Sequence, residues 1–263
     1  MTATTHLLDS LSWRRLRFTL QNIRRSVYQQ AKPVSTFQSI IKGVTTSFGP
    51  EDSNVIFHVQ SAGHHNRYQH NDVVEISVFF CGSRNTDEFV KNWRISLHRY
   101  FNNPTNSRNF RLIKVGVAET RTLNNLLSES GGRKPDGEVC LEFVTPLSFT
   151  PVKEKQQEYL DKPQFIQMLE KRIEKLFGQK ISYVGDPHVF QLLPYYWEFD
   201  RKEHKSKSQE GETKWLKGCL GKLFIKGDFS DLWPWLLLAG ELHMGQKPTY
   251  AAGHCLVHVV PVT

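Results

Sequence analysis

The sequence lacks the long apolar run that a membrane-spanning helix requires. Its longest apolar stretch, LWPWLLLAG at residues 232–240, is about half of the roughly 20 residues that cross a bilayer. The opening segment, MTATTHLLDSLSWRRLRF, has no apolar stretch behind a basic start, so we expect no secretory signal. Hydrophobic residues make up 39% of the chain and aromatic residues 12%, which is typical of a soluble globular protein with a substantial core.

Two kinds of metal site are also missing from the sequence. The four cysteines form no CxxC pair, which argues against a zinc ribbon and favours a reducing compartment. They are Cys81, Cys140, Cys219 and Cys255. Acidic residues are isolated or interleaved with basic ones, as at Glu170 and Glu174, whereas a two-metal nuclease needs several converging carboxylates. The sequence therefore predicts no metal and no cofactor.

Positive charge, by contrast, is in excess and clustered. Lys and Arg number 34 against 26 Asp and Glu, giving a net charge of +8. The clusters are WRRLR at 13–17, IRR at 23–25 and RKEHKSK at 201–207. Such clusters indicate a polyphosphate partner. We favour nucleic acid over a membrane surface, because no amphipathic basic helix accompanies them.

Hydrophobic periodicity predicts the order strand, helix, strand, strand, helix, strand in the first half of the chain. The predicted strands are 11–23, 54–61, 72–80 and 108–120, and the predicted helices are 35–48 and 86–101. Thr86 is the expected N-cap of the second helix. This order is that of a ferredoxin-like βαββαβ domain.

The second half repeats the order. The predicted strands are 137–149, Tyr195–Phe199, Leu216–Ile225 and 255–262, and the predicted helices are 162–177 and 229–245. Thr145-Pro146 implies a bend or an edge in the first of these strands. We therefore predict an α+β protein of two tandem ferredoxin-like (βαββαβ) domains. They are residues 1–127 and residues 137–263 with a glycine-rich loop, joined by a linker at 128–136.

Several short motifs follow one another in the second half. They are LEFVTPL at 141–147, GCLG at 218–221, GDF at 227–229, LLLAGELHMG at 236–245 and AAG at 251–253. Their order and spacing resemble the C-terminal signature of the CRISPR repeat-processing endoribonucleases, members of the RAMP superfamily. Two positions depart from that signature: Gln246 intervenes before Lys247, and Ala251 stands where the family has glycine.

The resemblance implies a metal-independent endoribonuclease that cleaves CRISPR repeat RNA (pre-crRNA) into guide RNAs in the prokaryotic cytoplasm. The 2′-hydroxyl would attack the scissile phosphate and leave 2′,3′-cyclic phosphate and 5′-hydroxyl ends. An alternative is a non-catalytic RNA-binding RAMP subunit that holds guide RNA (crRNA) among other CRISPR effector subunits. A third is a general RNA-recognition module, although the chain has no aromatic RNP-type strand. No membrane partner is expected.

This reaction needs a base, an acid and cations, and histidine suits the first two roles. The family resemblance places catalytic His and Tyr residues in or just after the first helix. Because the predicted helix 35–48 has no histidine, we assign catalysis to His64, His65 and Tyr68 in the loop GHHNRYQH. His58 is the alternative, with an ordinary strand histidine as its simpler interpretation. A solvated polar loop is the simpler interpretation of the His64–His65 pair.

The predicted RNA-binding residues lie in four places, each with a solvated basic surface or an ordinary turn as its alternative. They are Arg14 and Arg15 on the first strand, Arg67 beside the histidine loop, Lys202, Lys205 and Lys207 in the basic hairpin, and Gly245, Gln246, Lys247 and Gly253 in the glycine-rich loop. Backbone N–H groups of that loop would bind phosphate, with Lys247 adding charge. His243, at the end of the preceding helix, is expected to be structural.

Overall fold

The computed structural model describes residues 7–24, 28–29, 33–48, 54–61, 67–106, 109–131, 137–149, 160–205, 213–245 and 252–260. These residues form two compact units. The first comprises the described residues from 12 to 121, and the second comprises residues 7–11 and the described chain from 122 to 245 and 252 to 260. Along the chain, the first unit ends at residue 121 and the second resumes at residue 122. The sequence predicted that the first domain ends at residue 127 and the second begins at residue 137.

The first unit is built around an antiparallel sheet. Its elements are β1 (Ser12–Asn22), β2 (Tyr28–Gln29), α1 (Pro33–Thr45), β3 (Val55–Ser61), β4 (Arg67–Tyr68), β5 (Val73–Phe80), α2 (Asp87–Asn102), β6 (Phe110–Val115) and β7 (Glu119–Thr122). The main sheet has the order β3-β5-β1-β6, with β7 also paired to β1, and β2 pairs with β4 separately. Setting aside β2, β4 and β7, the order is 2-3-1-4, as expected of a βαββαβ domain.

Alternation along β1 decides which face of this sheet is buried. Leu16, Phe18 and Leu20 are fully or almost fully buried and pack with the apolar faces of α1 and α2. The intervening residues point to the opposite face, because successive side chains of a strand alternate. The predicted N-cap is confirmed: the Thr86 hydroxyl accepts a hydrogen bond from the N–H of Phe89 at 3.2 Å.

The second unit repeats the topology. Its elements are α3 (Leu123–Glu129), β8 (Glu138–Leu147), α4 (Lys162–Phe177), β9 (Phe190–Lys205), β10 (Thr213–Gly227), α5 (Trp233–Leu242) and β11 (Cys255–Val260). The antiparallel sheet order is β11-β8-β10-β9, again 2-3-1-4 when read from β9. The predicted α+β class with two tandem ferredoxin-like domains is confirmed. No helix in the described part of the chain is long and apolar enough to cross a membrane.

Several element limits differ from those predicted. Strands β9 and β10 extend past the predicted ends, because Thr213 still pairs with Lys205 in a charged segment that looked like a loop. Helix α5 begins at Trp233 rather than 229, with Pro234 in its first turn, a position that proline favours. Strand β7 and helix α3 were not predicted, since each is too short to show a clear period.

Trp93 connects helix α2 to the core of the first unit. Its ring is fully buried and lies 5.3 Å from that of Phe80, and its indole N–H donates to the Thr45 hydroxyl at 3.1 Å. We expect Trp93→Ala to lower the free energy of unfolding by about 3–5 kcal/mol, because it leaves a cavity in a close-packed core. The measurement is urea unfolding of the full chain.

The matched control is the neighbouring exposed residue Arg94. Arg94→Ala is expected to change the free energy of unfolding by no more than about 0.5 kcal/mol. Equal effects of the two substitutions would show that Trp93 is not a core residue.

Candidate nucleic-acid interface

Three arginines surround one carboxylate where β1 pairs with β7. Arg15 Nη2 donates to Glu119 Oε2 at 2.7 Å. That hydrogen bond lowers the pKa of Glu119, and the positive charges of Arg15, Arg17 and Arg121 lower it further, against the opposing effect of partial burial. Three guanidinium groups thus act on a single carboxylate. This arrangement is positively charged as a whole and suits an anionic ligand.

Arg14 has a different environment from its neighbour Arg15. Its guanidinium forms an ion pair with Asp87, which is in the first turn of α2. A carboxylate at that end of a helix is favoured by the helix dipole. Of the two predicted RNA-binding arginines on β1, therefore, Arg14 is paired with an acid near a helix N-terminus, and Arg15 belongs to the arginine cluster.

Register places His58 beside this cluster. Ser77 on β5 is aligned with Arg17 of β1 and with His58 of β3, so these three residues form one row across the sheet face opposite the helices. His58 is only 7% exposed, and its ring centroid lies 4.5 Å from that of Phe79.

The predicted catalytic residues are near the end of the same strand in sequence. His64 and His65 lie outside the described residues, in the connection between β3 and β4. Arg67 and Tyr68 form β4, where Tyr68 pairs with Tyr28 and Arg67 with Gln29.

At the end of helix α5 the chain reverses sharply. His243 has φ 61° and is fully buried. Arg172 of α4, itself buried, donates from Nε at 2.8 Å and from Nη2 at 2.6 Å to the Leu242 carbonyl oxygen. A cation at the C-terminal end of a helix satisfies a carbonyl that has no intrahelical partner and complements the helix dipole. No pattern in the sequence indicated this role for Arg172.

The glycine-rich loop closes against the sheet at Gly253. The Gly253 N–H donates to the Pro146 carbonyl at 3.0 Å, and its carbonyl accepts from the Met244 N–H at 3.1 Å. Its φ is +74°, and a Cβ there would collide with the Met244 carbonyl oxygen. This N–H is therefore engaged within the protein. Gly245 lies against the backbone of Ser148, and Gln246 and Lys247 lie outside the described residues.

The two histidines that flank the loop stack on each other. The ring centroids of His243 and His254 are 5.0 Å apart, and the rings are inclined by 13°. Burial lowers the pKa of His254 from 6.5 to about 4, so it is neutral at pH 7. Two buried rings stacked on each other are a packing arrangement, which agrees with the expectation that His243 is structural.

The basic hairpin is an arm of two paired strands. Beyond Cys219, β9 and β10 continue to pair from Gly218 and Asp200 out to Thr213 and Lys205. Lys202 is aligned with Leu216 in this arm, and Lys207 lies outside the described residues. Trp197, near its base, packs on Phe143 with ring centroids 5.6 Å apart. We call residues 200–205 and 213–218 the hairpin arm.

The strands of both sheets follow the order 2-3-1-4, which defines a protein of two tandem ferredoxin-like units. The first unit carries the arginine cluster and the second carries the hairpin arm. Residues 141–255 match the family described as CRISPR-associated endoribonuclease Cas6. The predicted resemblance to the CRISPR repeat-processing endoribonucleases is confirmed. No curated protein matches the sequence.

Solved structures share the fold over nearly the whole chain. Thermus thermophilus Cas6 is 12% identical, with a TM-score of 0.56 over 95% of this chain and 99% of that one. A RAMP protein that binds different RNA substrates is 11% identical, with a TM-score of 0.53 over 94% and 100%. A chain from a partial Cas6-RT-Cas1–Cas2 complex is 11% identical, with a TM-score of 0.63 over 94% and 46%. At these identities the likeness is one of fold.

We expect Gly253→Ala to destabilise the second unit in the absence of RNA. The loss should exceed about 1 kcal/mol, because alanine must adopt a positive φ and its Cβ meets the Met244 carbonyl. Gly178→Ala is the matched control: Gly178 also has a positive φ (+70°), but nothing lies within 4 Å of the added Cβ. Thermal unfolding of both variants measures the difference, and equal losses would contradict the packing role.

Burial of His254 also predicts a pH dependence of stability. Its pKa in the folded state, about 4, lies below the unfolded value of 6.5, so the unfolded chain binds the proton more readily between these values. Stability should therefore decrease as pH falls from 6.5 towards 4, by about 3 kcal/mol for this group. Urea unfolding at several pH values should show a shallower dependence in His254→Gln, and an unchanged slope would contradict the assignment.

Proposed function

We propose that the protein is a metal-independent endoribonuclease that cuts CRISPR repeat RNA into guide RNAs. The match of residues 141–255 to the Cas6 family carries this proposal. The tandem ferredoxin-like fold and the clustered positive charge agree with it, since RNA binding depends strongly on cations that contact phosphate.

The chemistry requires no group beyond the side chains that the chain offers. A base takes the proton of the 2′-hydroxyl, whose oxygen attacks phosphorus while the bond to the 5′-oxygen breaks and an acid protonates that oxygen. The products are a 2′,3′-cyclic phosphate and a 5′-hydroxyl. Cations stabilise the extra negative charge on the pentacoordinate phosphorus as the reaction proceeds.

We assign the acid and base to His64 and His65, with Tyr68 beside them in sequence. The alternative, His58, is nearly buried and packed on Phe79, which restricts its access to a 2′-hydroxyl. A histidine with a pKa near neutrality is suited to both proton transfers.

Phosphate binding in this proposal is assigned to cations on both units. Arg15, with Arg17 and Arg121, forms the arginine cluster of the first unit. Arg14 precedes Arg15 on β1, and Arg67 lies in β4. The basic hairpin contributes Lys202, Lys205 and Lys207. The glycine-rich loop contributes Gly245, Gln246, Lys247 and Gly253. Because the Gly253 N–H already donates to the Pro146 carbonyl, phosphate binding in this loop falls to its other groups.

Metal independence rests on the acidic residues. The carboxylates on the outer face of the second sheet form ion pairs with neighbouring cations: Glu138 with Lys226, and Glu142 with His258 and Lys222. Carboxylates paired in this way are not the converging set that binds two metal ions.

The second candidate is a non-catalytic subunit that holds guide RNA among other CRISPR proteins. The displaced lysine and Ala251 of the glycine-rich loop favour it, because both change how the backbone meets RNA. A structural relative belongs to a complex with RT, Cas1 and Cas2, and a protein partner of this kind is part of the second proposal.

Cleavage in the presence of EDTA tests the proposal. We expect the protein to cut RNA of its own CRISPR repeat at one position with a chelator present. The downstream fragment should accept a 5′ label from a kinase directly, and the upstream fragment should resist 3′-end ligation until the cyclic phosphate is removed. His64→Ala/His65→Ala should lower the single-turnover rate by about 10²–10⁴-fold with RNA affinity unchanged.

The control variant is His188→Ala, since His188 is an exposed histidine of the second unit outside the proposed sites, and it should cut at the normal rate. Intact RNA with tight binding would favour the non-catalytic candidate. Full activity of the double variant would move the catalytic assignment to His58.

A further inference from the structure

Strand β9 contains a β-bulge next to the base of the hairpin arm. Tyr195 pairs with Lys222 and Glu198 pairs with Leu220, so Tyr196 and Trp197 together oppose the single residue Gly221. Tyr196 has φ +47°, which is rare for a bulky residue. A Cβ at Gly221 would collide with the Tyr196 carbonyl oxygen. Only glycine at 221 therefore leaves room for this bulge.

The bulge reverses the alternation of side chains along β9. Tyr195 is aligned with Lys222, on the face opposite the helices, whereas Trp197, two residues later, packs on the buried Phe143. In a regular strand these two residues would lie on the same face. The extra residue allows Trp197 to pack on Phe143 while both tyrosines remain exposed, an example of a bulge that redirects side chains.

The two tyrosine rings form one exposed aromatic group. Tyr195 is 54% exposed and Tyr196 75% exposed, and their ring centroids are 4.3 Å apart at 69°. Phe224 extends the group, with its ring 6.1 Å from that of Tyr195. Exposed apolar side chains are usually scattered singly over a surface. Two adjacent exposed rings, held by a strained backbone, point instead to a ligand with flat, stackable faces.

The surrounding charge identifies the class of that ligand. Lys222 stands beside Tyr195 in the strand pairing, and the sequence of the basic hairpin, residues 201–217, contains six Lys or Arg and three Glu. A stackable ligand that carries negative charge is a nucleic acid strand. Unpaired bases stack on tyrosine, whereas bases inside a duplex have their faces covered by their neighbours.

We propose that Tyr195 and Tyr196 form a stacking platform for unpaired bases of RNA bound along the hairpin arm. This inference rests on the proposed function, since it names the part of the RNA that the second unit holds. The platform would bind a single-stranded flank of the repeat, and the arm would contact phosphates. Stacking tolerates any base, so the platform adds affinity without sequence preference.

The test compares two RNA probes at one salt concentration, a ten-nucleotide oligoadenylate and a blunt hairpin without unpaired ends. Tyr195→Ala/Tyr196→Ala should weaken binding of oligoadenylate by about tenfold or more, and of the blunt hairpin by no more than about twofold. The salt dependence should not change, because no phosphate contact is removed. Tyr195→Phe/Tyr196→Phe retains both rings and should bind as the unmodified protein does.

Gly221→Ala supplies an independent variant, because it retains both tyrosines but obstructs the bulge that positions them. It should lose oligoadenylate binding as the double alanine variant does. Leu256→Ala, an exposed apolar residue on the edge strand β11, is the control and should lose nothing. Thermal unfolding checks that each variant is folded.

Two results would overturn the platform. In one, the double alanine variant binds both RNA probes equally more weakly than the unmodified protein. In the other, it binds oligoadenylate as tightly as the unmodified protein, which is the result expected if the tyrosines form a surface for a protein partner. The cleavage assay separates this outcome from failure of the proposed function. A protein that cuts repeat RNA but binds oligoadenylate without the tyrosines lacks the platform. A protein that does not cut, but needs the tyrosines for oligoadenylate, retains it.

Discussion

Burial of one sheet face beneath two helices is the constraint on which both units depend. In each unit the first strand of the βαββαβ order is interior, paired on both sides, so its inward side chains are fixed by apolar packing. Leu16, Phe18 and Leu20 meet this requirement in β1, and Val139 and Leu141 meet it in β8. Because side chains alternate along a strand, the same constraint places every other residue on the opposite face. In β1 this opposite face receives Arg15 and Arg17.

Positive charge is arranged by this geometry and not by sequence clustering alone. Arg15 and Arg17 are two residues apart on β1, and strand β7 brings Arg121 and the single carboxylate Glu119 beside them. Arg14, of opposite parity, forms an ion pair with Asp87 instead. One basic run in the sequence thus supplies both a helix-terminal ion pair and two of the three arginines that lower the pKa of Glu119.

The residues at the two ends of the glycine-rich loop show that this motif has a packing role. Gly253 is required by close contact with Met244. The rings of His243 and His254 stack on each other, and burial lowers the pKa of His254. These residues hold the end of α5 against the start of β11. In the proposed function the loop's remaining groups then meet the RNA from a rigid base, which is how precise contacts are usually positioned.

Periodicity by itself determined the two βαββαβ units, the faces of α1, α2 and α4, and the Thr86 cap, because these depend on local spacing of apolar and capping residues. The motifs of residues 141–255 determined the family resemblance in the same way. Only the tertiary structure decided the extent of β9 and β10, the assembly of Arg15, Arg17 and Arg121, and the bulge at Tyr196. Each of these depends on which distant residues pair across strands, and pairing register is not encoded in the spacing of residues along one strand.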